Sequence, residues 1–228
     1  KAVKKEGAVA AEGLCSYAIS GNKCVVFELN SQTDFVAQNA KFVALLEQVA
    51  EIILNSSANN TEEALNVEVE GKTLATIILE ASGVIGEKIS LRRVSRITKA
   101  DNEVFGAYKH MGGKIVTITI VEGEDEAVAK DVAMHVAAMN PKYVSRDDVD
   151  QEYIAHETEI LTQQALNEGK PANIVEKMIK GRLEKQLKEV CLVEQTFVKN
   201  PDLTIKQLIA DVAKKVGSEI KVARVVRF

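Results

Sequence analysis

Three observations predict an α+β protein. It would have two related subdomains of antiparallel strands packed with helices, plus a projecting antiparallel helical hairpin (a coiled coil). Alternating apolar and polar residues flank Gly21-Asn22 and again Gly112-Gly113, the tight turns of two β-hairpins. Each hairpin is followed by apolar residues at three-to-four spacing, which is the period of an amphipathic helix. Two long helical runs are then separated only by Glu168-Gly169-Lys170-Pro171, too short a connection for anything but antiparallel helices.

The elements follow in order. Residues 14–20 and 23–29 are the first strand pair, the second rich in β-branched and aromatic residues. From Val36, the positions Ala40, Val43, Leu46, Val49, Ala50 and Ile53 fall on one helical face, so one helix packs on the hairpin. The polar stretch 55–60 breaks it, Thr61-Glu62-Glu63-Ala64 opens another segment, and helix resumes around 73–79 after Gly71. Residues 89–97 return to strand character. Residues 104–108 and 114–121 form the second hairpin, and a helix runs from about 125 to 139. Laid on Gly21-Asn22-Lys23-Cys24-Val25-Val26, the stretch Gly112-Gly113-Lys114-Ile115-Val116-Thr117 matches Gly, Lys and apolar alternation, the mark of an internal repeat. The expected division is 1–88 for the first core subdomain and 89–228 for the second, with the helical hairpin inserted at about 148–190.

In that hairpin, Gly169 ends one helix and Pro171 sits at the start of the next. Ile154, Ile160, Leu161, Ala165 and Leu166 face Ile174, Met178, Ile179, Leu183 and Leu187 in the expected seam. Residues 203–216 are amphipathic, and 219–228 alternate as a strand returning to the second sheet.

Composition narrows the function. The 228 residues are 46% hydrophobic, enough for one large core or two modest ones. Lys+Arg 29 against Asp+Glu 33 gives a formal charge of -4, so no global basic field draws the chain to nucleic acid or an anionic membrane. A protein or a small molecule is the expected partner. Cys15, Cys24 and Cys191 form neither an even set nor a C-x-x-C pair, which suits a reducing compartment and no common zinc site. No run approaches the ~18 apolar residues of a membrane span, and Lys1-Ala2-Val3-Lys4-Lys5-Glu6-Gly7 lacks a signal-peptide core. A cytoplasmic protein is expected. Its first residues look like the tail of a basic helix, as in a fragment or processed form. Neither G-x-x-x-x-G-K-[ST] nor G-x-G-x-x-G occurs, and Gly83-Val84-Ile85-Gly86-Glu87-Lys88 lacks P-loop spacing, so no direct nucleotide binding and no cofactor are expected.

The informative junction is Ser31-Gln32-Thr33-Asp34-Phe35-Val36, where strand hands over to helix. Ser31-x-x-Asp34 approximates a capping box, and a carboxylate suits a helix's first turn. On spacing alone that reading comes before a functional one. Phe35 is either core or, at an exposed helix entry, an interface anchor. His110, His135 and His156 are too scattered for a metal cluster, and within Ala133-Met134-His135-Val136-Ala137-Ala138 an inward, hydrogen-bonded His135 is the first reading. Arg92, Arg93 and Arg96 read as a solvated strand face before a phosphate track. A Cys24, His110 and Asp34 nucleophilic site has no supporting signature.

The stretches Asn30-Ser31-Gln32-Thr33-Asp34-Phe35-Val36-Ala37, Gly86-Glu87-Lys88-Ile89-Ser90-Leu91-Arg92-Arg93, Ala133-Met134-His135-Val136-Ala137-Ala138, Gly169-Lys170-Pro171 and Glu176-Lys177-Met178-Ile179-Lys180-Gly181-Arg182 together resemble the bacterial translation elongation factor Ts family. The resemblance implies a non-enzymatic guanine-nucleotide exchange factor. It would bind elongation factor Tu and promote GDP release by disturbing its magnesium and phosphate region. Thr33, Asp34, Phe35, Val36 and His135 are the partner-binding residues it implies, with Phe35 as apolar wedge and Asp34 as its polar companion. It also implies that the helical hairpin makes a peripheral contact or a homodimer surface. The family's small N-terminal helical domain has no counterpart here beyond the helical tail at 1–6. The alternative is an RNA-binding translation accessory protein without exchange activity.

Overall fold

In the computed structural model, which describes residues 9–228, β1 (Glu12–Ser20) and β2 (Lys23–Ser31) pair antiparallel across a turn at Gly21, whose φ of 56° suits glycine. After β2 come α1 (Asp34–Ala37), α2 (Ala40–Leu54), α3 (Thr61–Leu65), the two-residue strands β3 (Glu68–Val69) and β4 (Lys72–Thr73), and α4 (Leu74–Ile85). Then β5 (Ser90–Thr98) returns and pairs antiparallel with β2 from Lys23↔Thr98 to Asn30↔Ser90, giving the sheet order β1-β2-β5.

The second sheet repeats this plan. β6 (Glu103–His110) and β7 (Ile115–Glu122) form a hairpin, α5 (Glu126–Met139) follows, and β10 (Lys221–Arg227) closes the sheet in the order β10-β7-β6. In each sheet the hairpin's second strand is central, and the third strand arrives only after the helices. The expected division at 88 therefore falls inside the first sheet's own segment. β5 is the closing strand of the first repeat and not the opening strand of the second. The reason is that β2 is buried on both faces and needs a neighbour on each edge to satisfy its backbone.

Between α5 and β10 lie α6 (Gln151–Asn167), α7 (Ala172–Val190), the short hairpin β8 (Thr196–Phe197) and β9 (Asn200–Thr204), and α8 (Ile205–Val216). The helices α6 and α7 pack on each other as expected, but the seam differs. Leu161, Ala165, Val175 and Leu187 are buried, whereas Ile160, Leu166 and Ile174 face solvent. The spacing Ile154, Thr158, Leu161, Ala165 keeps one stripe inward, and Ile160 lies about 100° round the helix from Leu161. The helical tail expected at 1–6 lies outside the described residues.

The two sheets lie face to face between outer helices. Val25, Phe27 and Leu29 of β2 point to Phe42, Leu46, Val49 and Ile53 of α2 and to Leu74 and Ile78 of α4. Alternate residues Cys24 and Val26 point the other way, joining Cys15 and Ile97 against Val116, Ile118 and Ile120 of β7. On the far face of β7, Thr117 and Thr119 donate to the carbonyls of Ala133 (2.6 Å) and Ala129 (2.7 Å) in α5. A hydroxyl–carbonyl contact requires α5 to lie very close to the sheet. Gly106 of β6 permits it, since a Cβ there would collide with the Ala129 carbonyl and the Thr119 hydroxyl.

Candidate partner-binding site

β2 ends at Ser31, wholly buried, whose hydroxyl donates to the Thr33 carbonyl at 2.8 Å. Thr33 is the extended N-cap residue of α1, and its side chain makes no capping bond. The capping box expected between Ser31 and Asp34 is therefore not formed. Asp34 does stand in the first turn, where a carboxylate is favoured by the helix's free amides, and its side chain is exposed.

The single helix expected from Val36 onward is in fact two. Gln38 and Asn39 donate back to Phe35 and Val36, ending α1 after four residues, and the Asn39 side chain then caps α2 by accepting from the Lys41 amide at 2.8 Å. That break sorts the four residues. Val36 and Ala37 are core, packed with Phe42 and Leu29, whereas Phe35 is 83% exposed. Val36 thus anchors the turn and offers no side chain to a partner.

The turn is held from across the molecule by Glu87. One oxygen of its carboxylate accepts from the backbone amides of Gln32 (3.1 Å) and Thr33 (3.0 Å), and the other accepts from the Thr33 hydroxyl (2.7 Å). Gln32 reciprocates, its Oε1 accepting from the Lys88 amide at 2.8 Å. Glu87 is aimed there by the end of α4. Gly86, with φ 92°, takes the left-handed C-cap conformation, and the buried Ser82 hydroxyl accepts from the Ile89 amide at 3.0 Å. Sequence reading did not single Glu87 out. A glycine closing an apolar helix and followed at once by an acid was the available signal.

His135 lies elsewhere and faces inward, with none of its surface exposed. Its Nδ1 accepts from the Val198 amide (3.3 Å), so Nε2 carries the proton and donates to Gln195 Oε1 (2.9 Å). Burial pushes the imidazole below its ordinary value, against a smaller upward pull from Gln195, and it is neutral at pH 7. In the free chain it presents no surface to solvent. Its two ring nitrogens hold the segment 195–198, on which Val198 is exposed.

The other candidates also resolve. Arg93 Nε (2.6 Å) and Arg92 (3.1 Å) pair with Glu28 on the central strand. Burial pushes the Glu28 carboxyl up, but hydrogen bonds from Asn30, Arg92 and Arg93 outweigh this and hold it below the ordinary carboxylate value. Arg96 donates to the carbonyls of Ile53, Ser56 and Ala58, satisfying the end of α2. Cys24 is fully buried, and burial pushes its thiol up to about 12, so it supplies no thiolate. Among the described residues no group of three or more His, Cys, Asp or Glu could hold a metal ion, and no helix is long and apolar enough to cross a membrane.

A solvent-facing ring thus stands beside an exposed carboxylate on a turn held by Glu87 just past the end of α4. Residues 32–228 match the family described as Elongation factor TS. Elongation factor Ts of Clostridioides difficile (strain 630) is 56% identical over 238 aligned residues, spanning 100% of this chain and 77% of that protein. The chain belongs to the elongation factor Ts family, whose place is in the elongation phase of protein synthesis.

Proposed function

We propose that this chain is a guanine-nucleotide exchange factor that binds elongation factor Tu and accelerates GDP release, with Phe35 as wedge and Asp34 beside it. The observation that carries this reading is Phe35, 83% exposed on a turn whose backbone amides at Gln32 and Thr33 are held by Glu87. A GTPase holds GDP through phosphate contacts and a bridging magnesium ion. A ring pressed between the elements behind those contacts separates them, and the adjacent carboxylate competes for the polar groups on the magnesium side. No covalent chemistry is required. Because the turn is already ordered, little conformational entropy is lost on docking.

Thr33 contributes by anchoring the turn to Glu87, and His135 by shaping the segment that carries Val198. The α6–α7 hairpin, with Leu166 and Ile174 exposed, is the place for a peripheral or homodimer contact. The RNA-binding alternative lacks its footing, since Arg92 and Arg93 are paired with Glu28 and Arg96 caps α2.

Linkage supplies the test. If the chain weakens GDP binding by some factor, GDP weakens binding of the chain by that same factor. Added chain should speed release of a fluorescent GDP analogue from elongation factor Tu, and added GDP should dissociate the complex. Release at the spontaneous rate at saturating chain would refute the proposal.

A further inference from the structure

Resting on that reading, we infer that Glu87 is the positioning residue of the docking turn, the group that fixes the direction in which Phe35 points. Within the turn itself only the Ser31 bond to the Thr33 carbonyl and the burial of Val36 bear on it. α1 has only four residues, its N-cap Thr33 makes no side-chain capping bond, and Phe35 itself has almost no packing to hold it. What defines the backbone just ahead of Phe35 is the Glu87 carboxylate, which gathers two consecutive amides and a hydroxyl at 3.1, 3.0 and 2.7 Å.

Two consecutive N–H groups converging on one oxygen need both peptide planes turned the same way, which sets the entry to α1. Hydrogen bonds to an ionised acceptor are about twice as strong as neutral ones. The Gln32 to Lys88 bond closes a second arm in the opposite sense, so the turn and the end of α4 fix one another. Glu87 is in turn fixed by its own neighbours. Gly86 reverses the chain, Ser82 holds the Ile89 amide, and Ile89 is buried in the first core. A rigid line thus runs from α4 to the wedge. Glu87 touches the turn's backbone and the Thr33 hydroxyl, and acts on a partner through Phe35 and its neighbour Asp34.

The test is a cycle of full-chain variants, Glu87→Ala, Phe35→Ala and the double variant, assayed by release of fluorescent GDP from elongation factor Tu. Glu87→Ala should slow exchange by about tenfold, the loss of roughly one charge-assisted contact's net worth. Glu87→Gln, which keeps an acceptor oxygen, should recover part of it. The double variant should fall below Phe35→Ala by much less than the Glu87→Ala factor, because with the ring gone only Asp34 is left to position. Exchange at the wild-type rate in Glu87→Ala overturns the inference. So does a double variant that falls below Phe35→Ala by the full Glu87→Ala factor, since that marks an effect that does not pass through the ring. If Phe35→Ala alone exchanges normally, the wedge reading fails separately. Amide hydrogen exchange then decides the positioning role without the GTPase. The Gln32 and Thr33 amides should lose protection in Glu87→Ala while those of β7 keep theirs, and unchanged protection at Gln32 and Thr33 overturns it.

Discussion

Replacing Phe35 with alanine separates docking from folding more cleanly than any other change in this molecule. A phenylalanine side chain offers about 200 Å² of surface. Phe35 is 83% exposed, so roughly 160 Å² of it faces solvent and roughly 40 Å² lies against the fold. At about 25 cal/mol per Å², the buried part stabilises the folded chain by about 1 kcal/mol, while complete burial of the exposed part against a partner contributes at most about 4 kcal/mol. Interface anchors of this kind typically lose about 2 to 4 kcal/mol on truncation, a factor of about thirty to a thousand in affinity for the state they stabilise. Phe35→Ala should therefore lower the exchange efficiency measured with fluorescent GDP by at least about thirtyfold. The thermal midpoint should fall by only a few degrees, since about 1 kcal/mol is small on that scale. Exchange within twofold of the unaltered chain would refute the reasoning. So would a drop in unfolding free energy of about 3 kcal/mol, which would mark the ring as core.

Two further outcomes test the scaffold. Gly106→Ala puts a methyl group into the Ala129 carbonyl and the Thr119 hydroxyl, so α5 must lift from the second sheet. Urea denaturation should register a loss of about 3 kcal/mol, the upper part of the usual overpacking range, and a loss under about 0.5 kcal/mol would mean that α5 does not sit as described. His135 makes stability depend on pH. Its folded pKa lies below that of the unfolded chain, so the unfolded state takes up the proton first. The contribution is complete above the ordinary imidazole value of about 6.5 and is lost as pH falls below it, by up to about 1.4 kcal/mol per pH unit. Urea midpoints taken between pH 7.5 and 5.5 should fall for the unaltered chain and fall less for His135→Gln. Equal slopes would remove His135 as the cause.

Most of the fold's parts were legible from short-range pattern. The turn at Gly21-Asn22 and the paired Gly112-Gly113 mark both hairpins because a reversal of two antiparallel strands needs residues tolerant of positive φ. The long helices declare themselves by period, and the break between α6 and α7 by Gly169 and Pro171. Asp34 and Phe35 were equally visible, since a strand-to-helix junction lies within six residues. What pattern could not give was orientation about that junction. Asp34, Phe35 and Val36 are consecutive, and only the break at Gln38-Asn39 decides that Val36 enters the core while Phe35 leaves it.

Local sequence thus determined which segments are strand or helix, where they turn, and that Phe35 stands at a place suited to contact, because each of these depends on neighbours a few residues apart. The tertiary structure alone assigned β5 to the first sheet, since strand pairing is chosen between segments far apart by which edge remains unsatisfied. It alone supplied the partners of the inward His135, whose ring nitrogen meets the backbone amide of 198, 63 residues away. And it alone brought Glu87 to Thr33 across 54 residues of chain. A carboxylate has the same chemistry wherever it lies in a sequence; what made this one a clamp was the left-handed turn at Gly86 that aimed it at two free amides.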